Sequence, residues 1–397
     1  MNNLRISRDR YLDRLVEFKD KHVIKIITGI RHCGKSTLLE MYSYHLISSG
    51  IDENNVMLLN FSESSFSDIS LENIVDGLKK RNGRTYVLLD EVQMQDSWDE
   101  MIIDVFKNLN CDICIAGSIS TISSSKLSML PPESMMSMEL SPFSYEEFLR
   151  YTEEEDSNDL MMDYMTYGGF PLALMVRISE NAKIAAIEGI YNTIILKDIV
   201  FTKNIRNPQM LENVSEFLMT NIGNLLSVKS IRDHMTDNGS KVNFETIDGY
   251  LGYLEEALIF HRVKRYNIKT KEEFVVNDKF YLTDPGIGTA VLGRRMNTGR
   301  IMENLVYLEL RRRGFTVFVG KLDDEEIDFV IVNDSCKMYI QVCYSLEDPS
   351  VLDRKVHALK SVNDDHRKII IVMDRSEKNH DGIIEITLRE LLTGAPI

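Results

Sequence analysis

Four short runs rich in aliphatic and β-branched residues, Val23 to Thr28, Val56 to Phe61, Tyr86 to Asp90 and Asp112 to Ala116, punctuate the first 145 residues. Segments with a helical apolar period separate them. Unbroken apolar runs of this length predict strands buried on both faces, and their alternation with helices predicts a parallel sheet covered on both sides. From Pro142 to about Asn204 the pattern turns helical throughout, with an acidic run at Glu153 to Asp156 and a break at Gly168-Gly169-Phe170-Pro171. Between Pro208 and Pro285 three helical segments lead into a two-strand pattern, Ile259 to Tyr266 and Lys279 to Thr283, joined by a polar turn. Three helices and a hairpin predict a winged helix. From about Arg300 the order is helix, three strands, helix and a closing strand, Lys368 to Met373.

Composition narrows the class. The 397 residues suffice for about two to four domains, and 44% hydrophobic against 27% charged residues argues against disorder. No run approaches the ~18 apolar residues of a membrane span, and the start Met-Asn-Asn-Leu-Arg does not resemble a secretory leader, so a cytoplasmic protein with no membrane partner is expected. Five scattered cysteines (Cys33, Cys111, Cys114, Cys336 and Cys343) fit a reducing compartment rather than a disulfide framework. With 46 Lys and Arg against 61 Asp and Glu the net charge is −15, which disfavours indiscriminate nucleic-acid binding and confines any such site to a local basic patch.

The decisive motif is Gly29-Ile30-Arg31-His32-Cys33-Gly34-Lys35-Ser36, followed by Thr37, which matches GxxxxGK[ST] between a predicted strand and a predicted helix. Its glycines let successive backbone N–H groups and the helix start face phosphates, Lys35 would neutralise β/γ charge, and the Ser36 hydroxyl would ligate Mg²⁺. Some fifty residues on, the run ending in Asp90-Glu91 offers one carboxylate for the Mg²⁺ shell beside Ser36 and a second to polarise a water for attack on the γ-phosphate. Gly117-Ser118, after the next strand, puts a hydroxyl in position to sense that phosphate. ATP and Mg²⁺ are the cofactors expected. A small-molecule kinase is disfavoured, since no acceptor-site base is evident apart from Glu91. Cys111 and Cys114 lie within an apolar strand and read as buried thiols rather than zinc ligands. Cys33, at a helix start, could carry a lowered pKa and be open to oxidation, against the plainer reading of an inert loop residue.

These residues resemble the prokaryotic AAA-type ATPases in which a P-loop module is fused to a C-terminal region of unknown function. The resemblance spans nearly the whole chain. It rests on Tyr11-Leu12-Asp13-Arg14-Leu15, Gly29 to Thr37, Asp90-Glu91-Val92-Gln93, Gly117-Ser118, Leu140-Ser141-Pro142-Phe143-Ser144-Tyr145-Glu146-Glu147-Phe148 and Gly168-Gly169-Phe170-Pro171. In the second half it rests on Tyr281-Leu282-Thr283-Asp284-Pro285-Gly286, Glu303-Asn304-Leu305-Val306 and Glu326-Ile327-Asp328-Phe329. It implies an α/β fold: a P-loop ATPase core (1–145), a helical subdomain (146–207), a winged helix (208–290) and a restriction-endonuclease-like domain (291–397). Members usually carry Gly-Arg before the Leu-Ser-Pro segment. Here the chain reads Leu130-Pro131-Pro132-Glu133, so no arginine able to stabilise transition-state charge is assigned, and slow turnover is expected.

An endonuclease-like centre needs carboxylates converging on a metal and a lysine to position water. Glu303, Asp328 and Gln341 could hold a second metal, but the lysine position reads Cys343. The helix capped by Asn243 and running from Phe244 to Phe260 would bury Phe244, Ile247, Leu251, Leu254 and Leu258, and its outward residues are acidic, which suits it poorly to a DNA groove. The basic segment Arg262, Lys264, Arg265, Lys269 and Lys271 is the best candidate for DNA contact, with Arg311-Arg312-Arg313 a second patch; a wing lying against acidic parts of the protein is the equal alternative. Three functions stay open: a slow ATPase whose nucleotide state repositions the C-terminal domains, an ATP-stabilised scaffolding or DNA-binding module, and a metal-dependent nuclease. Homo-oligomerisation also stays open.

Overall fold

The computed structural model describes residues 8–63, 70–118, 122, 125–175, 179–273, 277–293, 296–332, 337–344, 349–376 and 380–397, and these form two compact units, Met1–Pro142 and Phe143–Ile397. Cys336 lies outside the described residues.

In the first unit a helix, α1 (Asp9–Glu17), precedes five strands: β1 (Ile24–Thr28), β2 (Val56–Asn60), β3 (Thr85–Asp90), β4 (Cys111–Ala116) and β5 (Met135–Glu139). They pair in the order β2-β3-β4-β1-β5, all parallel. Helices α2 (Lys35–Ser48), α3 (Leu71–Lys79) and α4 (Trp98–Asn108) are the crossovers. The four apolar runs are strands to within a residue or two of the expected bounds. β5 has no counterpart among the expected strands.

One polar contact lies deep in this sheet. Lys25, the second residue of β1, donates to the Asp112 carboxylate on β4, with both side chains fully excluded from solvent; Asp112 also accepts the Asp20 N–H at 2.8 Å. Breaking a buried pair leaves the surviving charge without its partner, whereas replacing both members by apolar groups does not. Lys25→Met should therefore cost about 3–5 kcal/mol, and Lys25→Met with Asp112→Leu should recover part of that loss in chemical denaturation.

The second unit begins with helices Tyr145–Thr152, Asn158–Tyr167, Pro171–Met175 and Glu180–Thr193, the last continuing as a π-helix, Ile194–Phe201. Helices Pro208–Thr220, Val228–Asp237 and Phe244–Glu256 follow. The Asn243 side chain caps the last of these, accepting from the Thr246 N–H at 2.8 Å. Ile247, Leu251, Leu254 and Leu258 are buried as expected, but Phe244 is 45% exposed.

The hairpin departs from expectation. β6 (Phe260–Val263) pairs antiparallel with β8 (Lys279–Leu282), but β7 (Arg265–Asn267) leaves that ribbon and runs parallel to β9 (Thr316–Leu322). The switch is made at Lys264, whose carbonyl accepts the Val319 N–H at 3.0 Å. β7 thus becomes the edge of a six-stranded mixed sheet, completed by β10 (Glu325–Val332), β11 (Lys337–Cys343), β12 (Arg367–Val372) and β13 (Ile384–Thr387) in the order β13-β12-β11-β10-β9-β7.

Two motifs separated by more than a hundred residues meet inside this unit. Asp284 accepts the Gly169 N–H at 2.7 Å through Oδ2 and the Gly286 N–H at 2.8 Å through Oδ1, and it caps the helix Pro285–Leu292. A Cβ on Gly168 would lie 1.8 Å from Asp284 Oδ1, and one on Gly286 would lie 2.3 Å from the Tyr167 carbonyl. Burial pushes the Asp284 carboxyl up to about 7, against the two N–H donors and Arg312, which hold it down. A raised acid binds its proton more tightly folded than unfolded, so this group's contribution is greatest near pH 4 and declines as pH rises towards 7. The difference in unfolding midpoint between wild type and Asp284→Asn should accordingly fall between pH 4 and 7 and stay level above.

Candidate functional site

Because the five strands of the first unit run the same way, their C-terminal ends share one edge, which is where α/β sheets hold ligands. With β4 between β1 and β3, the loops that follow Thr28, Ala116 and Asp90 are neighbours.

The loop after β1 is shaped from within. Gly29 is pressed so closely against the chain after β5 that a Cβ there would lie 2.4 Å from the Leu140 carbonyl oxygen and 2.8 Å from Cys33 Sγ. Gly34 precedes α2 at φ 105°, a conformation that favours glycine, and His32 sits at φ 63°. Lys35 opens α2 with a buried side chain, and its ammonium donates to the carbonyls of Gly29 (2.9 Å) and Ile30 (3.3 Å). Ile30 and Cys33 are buried, Arg31 and Ser36 half-buried, and His32 and Thr37 exposed.

Across this edge, Asp90 ends β3 almost wholly buried. Its Oδ1 accepts the Glu91 N–H at 3.0 Å, while Oδ2 is buried with no hydrogen-bond partner. Burial raises the carboxyl's pKa; a hydrogen bond from the Ser36 side chain opposes the rise, the Glu91 charge adds to it, and the Lys35 ammonium again opposes. Ser36 and Asp90 are therefore brought together. A buried carboxylate oxygen without a donor, beside a hydroxyl, is a set of hard oxygen ligands that fits Mg²⁺.

Glu91 occupies the left-handed region at φ 51°, rare for a residue with a side chain, as the chain turns into a short 3₁₀ helix, Val92–Met94. Its carboxylate accepts from the Gln93 side-chain amide, whose oxygen is buried and unsatisfied. Gly117 lies close by: a Cβ there would stand 3.0 Å from Gln93 Oε1, and its N–H donates to Ile27 at 3.1 Å. Ser118 follows directly, half-buried at the same edge. Gln93 is a functional neighbour of Glu91 to which the acidic motif by itself assigns no role. Its spacing two residues after Glu91 in a tight turn is the signal that could have suggested one.

Cys33 follows the plainer of its two readings, an inert loop residue. Its thiol is fully buried, and burial raises its pKa despite the nearby Lys35 and Arg8 charges, so the lowered pKa suggested by a helix start is not realised. Burial likewise pushes Cys111 and Cys114 up to about 11 and about 12.

The sequence matches the family model of the AAA domain over residues 21–149 and that of a domain of unknown function, DUF8612, over residues 158–298. An uncharacterized protein of Haemophilus influenzae is 32% identical over 396 residues, covering 96% of this chain and 97% of that one. The chain belongs to the AAA-type P-loop ATPase family with a C-terminal domain of unknown function. An uncharacterized protein of Methanocaldococcus jannaschii is 27% identical, with 98% of this AAA-type chain and 90% of the relative covered. A solved structure of a Walker-type ATPase from Pyrococcus abyssi aligns with a TM-score of 0.47 at 14% identity, covering 72% of this chain and 95% of that one.

In the second unit of this AAA-type protein the candidate metal residues also lie close together, but lysines are bound among them. Lys279 Nζ, fully buried, stands 3.0 Å from Glu303 and 2.8 Å from Glu326, and the Tyr281 hydroxyl donates to Glu303 at 2.6 Å. Lys355 Nζ reaches Asp328 at 2.5 and 2.7 Å and Gln341 at 3.0 Å. Lys355 reaches Asp328 and Gln341 from the helix Pro349–Ser361, a neighbour that no reading of adjacent positions could reveal. Among the described residues no group of three or more His, Cys, Asp or Glu is arranged to hold a metal ion.

Of the basic residues, Arg262 pairs with Asp278 (2.6 Å), Lys264 with Glu273 (3.2 Å) and Lys269 with Asp323 (2.6 Å). Arg265 forms part of β7, and Lys271 follows in the left-handed region at φ 60°. Arg311 to Arg313 form no free surface patch: Arg311 bonds His261, and Arg313 bonds Glu309 and the Ala395 carbonyl. Among the described residues no helix is long and apolar enough to cross a membrane.

A thiol buried as Cys33 is should react with a soluble alkylating reagent only after unfolding. Mass-spectrometric labelling, with and without denaturant, reads this directly, and rapid native labelling at Cys33 would contradict its burial.

Proposed function

We propose that this chain is an Mg²⁺-dependent ATP-binding protein and a slow ATPase whose nucleotide state repositions the region C-terminal to the P-loop module. The observation that carries the reading is the orphaned Asp90 oxygen, buried beside Ser36 and Lys35 at the sheet edge where Glu91 and Ser118 also emerge. In it, the backbone from Gly29 to Thr37 cradles the phosphates, Lys35 exchanges its loop carbonyls for β/γ oxygens, and Ser36 and Asp90 hold Mg²⁺. The metal supplies charge neutralisation at those oxygens. Glu91, oriented by Gln93, accepts the proton of the attacking water, and Ser118 reports on the γ-phosphate.

Turnover is slow in this proposal because the turn Leu130-Pro131-Pro132-Glu133 supplies no arginine. No step in the proposal passes through DNA: Arg262, Lys264 and Lys269 each have an acidic partner, which reduces the net positive charge a phosphate backbone would meet there.

Mg·ATP at a hundred times its dissociation constant should stabilise the wild type by about 2.7 kcal/mol, and Lys35→Ala should abolish that gain. Glu91→Gln should retain the gain while hydrolysis falls by about a hundredfold or more. Hydrolysis at the wild-type rate in that variant would remove Glu91 from its role. Stabilisation by ATP without measurable wild-type turnover would instead make the protein an ATP-stabilised scaffold.

A further inference from the structure

Two backbone carbonyls of the first unit converge on one side chain that the nucleotide reading does not use. Arg8, immediately before α1, is 3% exposed. Its Nη1 donates to the Cys33 carbonyl at 3.1 Å, inside the phosphate loop. Its Nη2 donates to the Ser141 carbonyl at 2.8 Å, just before the last residue of the unit. The guanidinium also lies over the Tyr11 ring, 4.8 Å from its centre. The Tyr11 hydroxyl in turn accepts the Ser141 N–H at 3.4 Å. Ser141 is therefore held at its N–H by Tyr11 in α1 and at its C=O by Arg8 just before it, and the same arginine holds the loop.

The contact is reinforced from beneath. Leu140 N–H donates to Thr28 at 2.8 Å, and the Leu140 carbonyl is the atom that leaves Gly29 no room for a side chain. The loop and the chain's exit from the unit are thus packed backbone to backbone, with one buried cation bonded to both. A guanidinium has several donors in a fixed plane, so moving either carbonyl tilts the fork with respect to the other. Desolvated donors are costly to leave unmade, which makes rearrangement of both ends together cheaper than loss of one.

We infer that Arg8, with Tyr11, is a positioning clamp that couples the conformation of the phosphate loop to the backbone at Ser141, so that nucleotide in the loop is registered at the point where the chain passes into its second half. This rests on the nucleotide reading above for the signal it transmits, but the clamp itself is a property of the polypeptide. Arg8 touches no phosphate in this scheme; it acts through Cys33.

Amide hydrogen exchange tests it in the full chain, read separately over residues 33–36 and over 140–142, where Leu140 and Ser141 carry the exchanging amides and Pro142 has none, with and without Mg²⁺ and a non-hydrolysable ATP analogue. In the wild type the analogue should slow exchange in both segments. In Arg8→Ala it should slow the loop alone, and nucleotide-free exchange should be about tenfold faster in both segments, the change expected on losing one hydrogen bond in each. Tyr11→Phe, which keeps the Cys33 bond, should quicken only 140–142 and likewise uncouple it, which provides a milder variant should Arg8→Ala fail to fold. A nucleotide response at 140–142 that survives in these variants overturns the clamp. Absence of any loop response in the wild type would overturn the nucleotide reading instead, and the clamp would then be judged by nucleotide-free exchange: faster in both segments of Arg8→Ala supports it, unchanged exchange refutes it.

Discussion

A parallel sheet has a direction, and the candidate site depends on it. Since every strand of the first unit must end on the same edge, the loop after β1, the carboxylates after β3 and the hydroxyl after β4 arrive there without any device to gather them. The same geometry buries the end of β3, inside the sheet, while the ends of β1, β2 and β5 stay half-buried. Asp90 is consequently desolvated, and its raised proton affinity is opposed by neighbours that themselves come from the loop. Below the edge, Lys25 and Asp112 join the two strands on which the loop and the hydroxyl are mounted. The order of the strands is thus the primary constraint, and the chemistry is a consequence.

Much of this was legible from residue order alone. Buried strands announce themselves by unbroken apolar runs, and the GxxxxGK[ST] spacing is interpretable because a strand precedes it and a helix follows. β5 was not legible: Met135-Met136-Ser137-Met138-Glu139 has neither β-branched residues nor a clear apolar run, being an edge strand that buries only alternate positions. Nor was the fate of the hairpin. Arg265 to Asn267 reads as a continuation of the strand before it, and only the neighbouring β9 decides that it pairs elsewhere. Arg311 to Arg313 read as a surface charge run because sequence shows charge but not the buried acceptors that consume it. Lys355 was missed for the converse reason, since its partners Asp328 and Gln341 lie on strands and it lies on a helix. At Cys33 the plainer reading of an inert residue holds, because burial outweighs proximity to a helix start.

Two backbone positions at the site carry strain that their residue types do not relieve. Glu91 and His32 both adopt left-handed dihedrals without being glycine, and such conformations persist where surrounding structure over-determines them. At Glu91 the side-chain bond from Gln93 and the tight 3₁₀ turn are that structure. The carboxylate is consequently presented by a rigid turn rather than by a free chain end, which is the condition for a group that must aim at a small target.

The meeting of Asp284 with Gly168 bears on how sequences of this kind can diverge. The two positions compete for one volume: with 1.8 Å between a Gly168 Cβ and an aspartate oxygen, any side chain at 168 requires a smaller residue at 284, and a smaller residue at 284 strands the Gly169 and Gly286 N–H groups. Single substitutions at either place are therefore trapped between a steric clash and unsatisfied donors, and a concerted exchange does not escape, because Gly168 lies at φ 70° and ψ −157°, a conformation essentially open to glycine alone. Positions 168 and 284 should therefore hold still together, an immobility written by packing and backbone geometry rather than by chemistry.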